Sequence, residues 1–579
     1  MNVSVIIGFL ALAAAILVAH RAPATAYELS IYAATPVAFW AGAAVALLAA
    51  LVAAFGAVTR WGRAGGTLLG GTTVVTIIAL PLIRGYQFYG TADPMTHLGW
   101  SREMATGAMS PVSLFYPGLH TFTVLLSRLT GVRLERSLLV VVLTFAALFF
   151  VFVPLVVRAI DPRVPAVAVG AFTALLLLPI NNVSMFLRGH PFSQTTFFTA
   201  LVLLLLFVYL TRSDPDDGLL PGALGLLLGL GAVSVTLYHP QVAGNVLLFF
   251  AVVCGVQFVA RRRDPSHRIS TQPRLYGVTG FFAVFYAAWV LRSEWFYSGV
   301  TSLVVSLAGY LTGAAPVPGA SVETQGESLV AIGGSIPELF VKLFLVSTVF
   351  AVLAFVLMVA SVRGRLDEHR SDADAIVRYL TYGILVIAPL VVLYFLASVS
   401  EMHFRHHGFI MLLVSVLGAL ALTRVLDRFD GRTRKLVPIV FFALLLPFGL
   451  ATAYQSPYIY KANQHVTEAH LDGYDTAFDV KDEEIRIASV REGPRRENHA
   501  LNGVPEGSQY TATVNESEVR DSSQLPGATY VVYSEFDRQR EVNAYRELRY
   551  SEGAFDSLSA TPGVDRVQSN GDVRLYLAG

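Results

Sequence analysis

The sequence predicts a polytopic α-helical membrane protein that ends in a small α/β domain. Hydrophobic residues make up 54% of the 579 positions and charged residues only 14%, a balance that water-soluble folds of this length do not need. The apolar runs have the length that a bilayer core requires of a helix. Arginines cluster in alternate loops between these runs, as expected if the arginine-rich loops are cytoplasmic.

Residues 1–453 form the predicted membrane domain, with about 13 spanning helices. The predicted spans are 3–19, 34–58, 66–83, 138–158, 164–183, 193–211, 219–237, 241–260, 274–292, 338–360, 377–398, 408–425 and 435–453. No basic segment precedes the first stretch, so we expect an uncleaved helix there and not a secretory signal. Cys254 is the single cysteine, which excludes an internal disulfide and favours packing inside its apolar helix.

The arginine pattern places the N terminus in the cytoplasm and the chain after the last span outside. This orientation holds provided that the apolar stretch from Tyr116 to Leu129, within the long first outer loop (84–137), does not cross the membrane. Pro117 and His120 interrupt that stretch, and it is short for a span. We therefore expect an interfacial or re-entrant helix on the outer side.

Residues 454–579 form the predicted extracytoplasmic α/β domain. Their formal charge is −8, against +9 for the membrane part. An acidic, lysine-poor domain is typical of proteins that face high salt, as in halophilic archaea, although high genomic GC content also depletes lysine. Ala528–Ser534 and Asp572–Leu577 are predicted strands, Glu541–Leu548 is a predicted helix, and Asn570-Gly571 is a predicted turn.

The first outer loop contains the most informative motif, Asp93-Pro-Met-Thr-His97, followed by Tyr116-Pro-Gly-Leu-His120. Asp-Pro is a favoured helix start, and in a helix that begins at Asp93 the side chains of Asp93 and His97 share one face. Helix capping alone also explains the dipeptide, with Asp93 as the N-cap and Pro94 at the first helical position.

Other outer helix ends also contain ionisable residues. Taken singly, an arginine at such a place can snorkel to lipid phosphate and a histidine can be merely interfacial. Several such clusters on one side of the membrane favour a shared polar site at the outer face. These clusters are Arg188-Gly-His190-Pro, Tyr238-His239-Pro-Gln241, Arg292-Ser-Glu294-Trp295 and Glu401-Met-His403-Phe-Arg405-His406-His407.

The overall pattern resembles the GT-C superfamily of membrane glycosyltransferases. The shared features are a long first outer loop with an aspartate, an interfacial helix behind it, about a dozen spans and a soluble domain after the last one. Asp93–His97 and Tyr116–His120 are similar to the first-loop pattern of archaeal and actinobacterial members. The resemblance implies transfer of a sugar from a polyprenyl-phosphate-linked donor to a glycan, lipid or protein acceptor at the outer face of the cell membrane.

By this resemblance, Asp93 is the general base of an inverting displacement, with His97 and Glu401 as further catalytic residues. A phosphate leaving group calls for nearby cations. The first choice is Arg405 with His403, His406 and His407, and the second is Arg188 with His190. The remaining predicted substrate-binding residues are Tyr116, His120, His239 and Glu294.

A divalent cation, Mg²⁺ or Mn²⁺, is an open cofactor prediction. Asp93, His97, Glu401 and His403 are suitable ligands, but they come from separate loops and no spacing fixes a geometry. Ser398-Val-Ser-Glu401 spells a motif of archaeal oligosaccharyltransferases. The tail lacks their WWD-type acceptor motif, which argues against transfer of a whole oligosaccharide to asparagine.

Two alternatives from other classes stay open. A transporter or flippase of a lipid-linked glycan should have charged residues near mid-membrane, whereas here they lie at helix ends. A non-enzymatic scaffold of envelope assembly would use the outer loops and the tail to bind partners. The chain has no phosphate-binding glycine motif and no basic-aromatic patch, which argues against ATP hydrolysis and a nucleic-acid partner.

Overall fold

The computed structural model describes residues 3–212, 222–313, 320–366, 371–397, 402–504 and 510–579. The helices in these ranges are α1 (Val3–His20), α2 (Ile31–Ala34), α3 (Val37–Leu51), α4 (Arg60–Ile78), α5 (Leu80–Ile83), α6 (Asp93–Thr106), α7 (Gly118–Thr130), α8 (Leu134–Ile160), α9 (Val164–Leu175), α10 (Pro191–Arg212), α11 (Ala223–Tyr238), α12 (Pro240–Arg263), α13 (Tyr276–Val290), α14 (Glu294–Thr312), α15 (Ala320–Ala331), α16 (Ile336–Val362), α17 (Asp372–Leu396), α18 (Met402–Leu426), α19 (Gly431–Ala451), α20 (Glu468–Val480), α21 (Arg495–Asn502), α22 (Glu516–Arg520), α23 (Glu535–Gln539) and α24 (Glu552–Ser557). The strands are β1 (Phe88–Tyr89), β2 (His465–Val466), β3 (Arg486–Val490), β4 (Ala512–Val514), β5 (Thr529–Ser534), β6 (Val564–Ser569) and β7 (Val573–Ala578).

Each apolar stretch that was predicted to span the membrane overlaps a helix. In the described part of the chain, nine helices are long and apolar enough to cross a membrane, and the apolar helices α9, α11 and α13 are shorter. The prediction of a polytopic helical membrane protein is therefore confirmed, while the number of 13 spans stays a prediction.

Helix α18 lies at the centre of the bundle. Every residue from Gly408 to Thr423 is buried, and the helix contacts α8, α9, α10, α16 and α17. A helix that is apolar on all sides is stable only when other helices surround it. This central position fixes where the polar residues at the start of α18 lie.

The predicted interfacial helix corresponds to α7, which has 13 residues. At 1.5 Å per residue it extends about 20 Å, less than the ~30 Å of a bilayer core. Helix α14 was not predicted, because its sequence mixes small, polar and apolar residues. None of its residues is buried, so its apolar side chains lack the protein neighbours that a core helix has.

The tail, residues 454–579, folds around a five-stranded mixed sheet in the order β4-β3-β5-β7-β6. Strands β4, β3 and β5 are parallel, and β7 is antiparallel to both β5 and β6. The predicted strands are β5 and β7, and the predicted turn joins β6 to β7, with Gly571 at φ +93°. The small α/β domain is thus confirmed.

The predicted helix over Glu541–Leu548 is wrong in position. The helix begins earlier, where Ser534 and Asp537 form a capping box at the start of α23. It continues as a π-helical turn only to Ala544. Arg546 and Glu547 then adopt positive φ angles, which ends the helix before the predicted boundary.

Two contacts join the tail to the first outer loop. Strand β1 pairs with β2, so that Tyr89 lies opposite His465, and the Gly90 amide donates to the Gln464 carbonyl oxygen at 2.8 Å. Helix α21 packs against α6 so closely that a Cβ atom on Gly99 would lie 2.1 Å from the His499 carbonyl oxygen. The tail therefore holds both the segment that leads into Asp93 and the helix that begins there.

Candidate active site

Asp93 occupies the first position of α6, as the Asp-Pro motif predicted. The N-cap is Ala92, with no side-chain capping bond, so the interpretation of Asp93 as a capping residue is wrong. Ala92 has φ +63° and ψ −125°, a conformation that costs about 1–3 kcal/mol in a residue other than glycine. The β1–β2 pairing just before it holds the chain in this path and leaves the Asp93 side chain 54% exposed.

The Asp93 carboxylate pairs with an arginine of the tail. Arg496 Nη2 lies 2.7 Å from Asp93 Oδ1, and Arg496 Nη1 donates to Thr96 Oγ1 at 2.8 Å. Among the residues that the structure describes, Asp93 Oδ2 has no hydrogen-bond partner. One oxygen of the carboxylate is thus fixed by Arg496, and the other remains available to a ligand.

His97 lies one helical turn after Asp93 and is only 5% exposed. Its Nδ1 is 3.0 Å from His120 Nε2, and Trp100 and Tyr116 pack against the pair. Burial, assisted by Arg496, His239 and Arg188, lowers the pKa of His97 to about 3. His97 is therefore a neutral hydrogen-bonding group at physiological pH and not a cation.

Tyr116 stacks on His239, with ring centroids 5.3 Å apart. Burial and the nearby Asp93 carboxylate raise the pKa of Tyr116 to about 12, so its hydroxyl stays protonated. Burial and Arg405 lower the pKa of His239, and the same causes lower the pKa of His190. The side chains around Asp93 are thus mostly neutral hydrogen-bond donors.

These residues line a cavity of about 700 Å³, here named the bundle cavity. It brings together six of the predicted site residues: Asp93, His97, Tyr116, His190, His239 and Arg405. Its walls also include Trp100, Phe115, Phe192, Tyr286, Trp295, Phe296, Leu303, Tyr394 and Arg496. The structure therefore brings these six residues to one cavity, which has two arginines and several aromatic side chains in its wall.

Arg405 is the cation that the membrane helices contribute to this cavity. Its Nη1 donates to Gln241 Oε1 at 3.3 Å, and its guanidinium lies 5.7 Å from the centre of the Phe192 ring. It extends from the first turn of α18, before the fully buried part of this helix, and is itself partly buried.

The other predicted site residues lie elsewhere. His120 is behind His97, Arg188 lines a second cavity, and Glu294 is exposed at the start of α14. Glu401 lies outside the described residues.

The three histidines around Arg405 do not line the bundle cavity, because helical periodicity turns Met402 and Arg405 toward it. His403 packs on Phe395 and Phe404, and His407 packs on Phe344. His406 Nδ1 lies 2.9 Å from Asn245 Oδ1. The sequence placed these side chains together, but α18 directs them to different neighbours.

Comparison with known proteins gives structural matches only. No protein-family model and no curated protein matches the chain. ArnT from Cupriavidus metallidurans bound to undecaprenyl phosphate matches over 90% of this chain and 100% of its own, with TM-score 0.50 and 12% identity. The chain has the GT-C fold.

Two further solved structures are similar to parts of this fold. Apo ArnT from Cupriavidus metallidurans has TM-score 0.46 and 14% identity, over 87% of this chain and 98% of its own. The Archaeoglobus fulgidus oligosaccharyltransferase, tethered to an acceptor peptide with an NVT sequon, has TM-score 0.44 and 14% identity. The match covers 87% of this chain and 74% of that protein's chain.

Of the predicted metal ligands the structure describes Asp93, His97 and His403, while Glu401 lies outside the described residues. Among the described residues there is no group of three or more His, Cys, Asp or Glu side chains that could hold a metal ion. Asp93 pairs with Arg496, His97 pairs with His120, and His403 lies off the cavity wall. The Mg²⁺ or Mn²⁺ site, which also depends on Glu401, stays a prediction.

Sequence reasoning missed Arg496 and, on α14, Phe296, whereas the neighbouring Trp295 was part of a predicted cluster. Arg496 lies in the tail, 403 positions after Asp93, and no local pattern connects two residues at that separation. The only available signal is the basic pair Arg495-Arg496 in an acidic domain, directly after Gly493-Pro494.

Proposed function

We propose that this chain is a membrane glycosyltransferase that moves a sugar from a polyprenyl-phosphate-linked donor to an acceptor at the outer face of the membrane. One observation carries the proposal: the Asp93 carboxylate and the Arg405 guanidinium line the same cavity, with an aromatic wall beside them. The arginine distribution of the loops supports the outer location.

The wall of the bundle cavity suits a lipid-linked donor. Tyr286, Trp295 and Tyr394 come from α13, α14 and α17, and Leu303 extends the apolar surface along α14. Aromatic faces of this kind pack against both sugar rings and the first isoprene units of a carrier. The likeness to ArnT, which was solved with undecaprenyl phosphate, also supports this class of donor.

In the proposed reaction, Asp93 is the general base. Asp93 Oδ2 accepts the proton of an acceptor hydroxyl, and the acceptor oxygen forms a bond to the anomeric carbon. The bond between that carbon and the phosphate oxygen breaks, and its electron pair leaves with the phosphate. Attack from the side opposite the leaving group inverts the anomeric configuration.

Arg405 stabilises the charge that develops on the leaving phosphate. A guanidinium binds phosphate oxygens by charge-assisted hydrogen bonds, which strengthen as negative charge accumulates. The neutral imidazoles of His190 and His239 can add N–H donors without opposing the cation's charge. Arg496 acts differently, because its bond to Asp93 Oδ1 orients the carboxylate.

Replacing Asp93 by Asn tests the proposal. The amide keeps the size of the side chain but cannot accept a proton, so we expect transfer to fall by about 10²–10⁴-fold. The first measurement is the rate of sugar transfer by purified full-length protein in liposomes, with lipid-linked sugars extracted from the cell as donor. The second is mass spectrometry of surface glycans and lipid-linked sugars in cells that carry the variant.

Asp475→Asn is the matched control, since Asp475 is exposed on α20 and lies outside the bundle cavity. It should retain wild-type transfer. A D93N protein that folds and transfers sugar at the wild-type rate would refute the general-base role. A wild-type protein that transfers no sugar, in cells whose surface glycans are the same with D93N, would favour a scaffold. Unchanged lipid-linked sugars with defective export would favour a transporter.

A further inference from the structure

A second cavity lies on the other side of Arg496, between the first outer loop and the tail. It has a volume of about 340 Å³ and is here named the junction cavity. Arg496 lines both cavities, and Ala92, the neighbour of Asp93, lines the junction cavity. The two cavities therefore adjoin at Arg496, the ion-pair partner of Asp93.

The walls of the junction cavity are charged. The basic side chains are Arg188, Lys461, Arg491, Arg496 and Arg540, and the acidic ones are Glu492, Glu497 and Asp537. Two of the tail arginines are neutralised by carboxylates: Arg540 lies 3.0 Å from Asp537, and Arg491 donates to Glu541 at 3.1 Å.

Arg188 differs from these arginines. Its Nη1 donates to the amide oxygen of Gln464 at 2.6 Å, and its guanidinium lies 4.2 Å from the centre of the Phe186 ring. Its Nε is buried without a hydrogen-bond partner, and no carboxylate of the described residues forms an ion pair with it. Arg188 is partly buried, and the Asp93 carboxylate stabilises its charge without forming an ion pair with it. An anionic ligand in the adjoining cavity would supply the acceptor that the buried Nε lacks.

The backbone adds positive potential on the tail side of the cavity. Helix α21 begins at Arg495, and Glu492, Gly493, Arg496 and Glu497 around its first turn line the cavity. The free N–H groups of a first helical turn, together with the helix dipole, favour an anion.

We propose that the junction cavity binds an anionic group, a phosphate or a carboxylate, through Arg188 and the start of α21. The further assignment of that group to the sugar acceptor rests on the proposed function. An acceptor that is held there would reach Asp93 from the side opposite the lipid-linked donor.

The backbone path supports this route to Asp93. Gly90 lies against Arg188, since a Cβ atom on Gly90 would be 3.5 Å from the Cβ of Arg188. Gln464 accepts hydrogen bonds from both Thr91 and Arg188 at 2.6 Å. An anion bound at Arg188 would therefore place its neighbouring atoms close to the chain segment that ends in Asp93.

Anion binding can be measured without any sugar transfer. The probes are inorganic phosphate and glucuronate, with glucose as the neutral control, added to purified full-length protein at constant ionic strength. To remove binding to the bundle cavity, the measurement starts from R405Q. We expect both anions to raise the melting temperature of R405Q by about 2 °C at roughly one hundred times their dissociation constant, and glucose to leave it unchanged.

Arg188→Gln in the R405Q background should abolish the rise, and Lys461→Gln should reduce it. Arg486→Gln, which removes an exposed arginine outside both cavities, should keep it. The proposal is overturned if R405Q shows no rise, or if the rise persists in R405Q/R188Q. If R188Q fails to fold, a rise that is unchanged in K461Q overturns it.

The outcome is independent of the proposed function. If no anion binds but the D93N protein is inactive, the anion site in the junction cavity is refuted and the role of Asp93 as the base is kept. If anion binding depends on Arg188 but the D93N protein has full transfer activity, the role of Asp93 is refuted and the anion site is kept.

Discussion

The bundle cavity and the junction cavity share Arg496 but differ in the source and chemistry of their walls. Aromatic side chains are prominent in the bundle cavity, and Arg405 is the cation that the membrane helices contribute to it. Residues of the tail form most of the junction cavity, and many of them are charged. The difference shows that Arg496 joins a cavity suited to an apolar ligand to a cavity suited to a charged one.

The tail is therefore a structural part of the candidate site. It contributes Arg496, one wall of the junction cavity and the strand that pairs with the segment before Asp93. A bundle without its tail would lose the partner of Asp93 and the support of Ala92.

Arg405→Gln should have the largest effect, because it removes the cation that the membrane helices contribute to the bundle cavity. Loss of one group that stabilises developing negative charge lowers rates by about 10²–10³-fold, and we expect a loss of this size in sugar transfer. Arg405→Lys should retain part of the activity, and Arg486→Gln should retain all of it. An R405Q protein with wild-type transfer would show that Arg405 does not stabilise the leaving phosphate.

Arg496→Gln tests the element that the two cavities share. We expect the rate of sugar transfer to fall about tenfold, because the Asp93 carboxylate loses the partner that orients it. Thermal stability should change little, since a partly exposed ion pair contributes about 1 kcal/mol or less. Arg495→Gln is the neighbouring control, and Arg496→Lys should recover part of the rate. Equal losses in R495Q and R496Q would indicate a general disturbance of α21.

The buried imidazole of His97 predicts a pH dependence of stability. An unfolded histidine takes up a proton near pH 6.5, whereas folded His97 does so only near pH 3. Between these values the unfolded state binds more protons, so acidification favours unfolding. From pH 6.5 to 5 this one group should cost about 2 kcal/mol.

The check is the melting temperature between pH 7 and 5 for the wild type and His97→Gln. The variant should lose less stability on acidification, while His20→Gln, at an exposed position, should follow the wild type. An identical pH dependence in all three proteins would contradict the buried neutral state of His97.

The sequence predicted those features that local chemistry determines. The helices follow from the apolar runs because a backbone in lipid must satisfy its hydrogen bonds internally. The start of α6 follows from Asp93-Pro94, and the turn between β6 and β7 follows from Asn570-Gly571. The sequence also predicted that Asp93, His97 and Arg405 share a site, because all three were assigned to the outer side of the membrane.

The features that were missed depend on distant contacts or on side-chain direction. Arg496 reaches Asp93 only because α21 packs on α6. His403, His406 and His407 are close in sequence to Arg405, but the rotation of α18 directs them away from the cavity. The sequence of α14 mixes small, polar and apolar residues, so its hydrophobicity pattern did not indicate a helix.

The most direct test of the account is an experimental structure of the full-length protein with a polyprenyl phosphate bound. We predict a phosphate group in the bundle cavity, within hydrogen-bond distance of the Arg405 guanidinium, with the isoprene chain leaving past Tyr286 and Trp295. A phosphate bound elsewhere on the bundle, with Arg405 still against Gln241 and an empty bundle cavity, would contradict it.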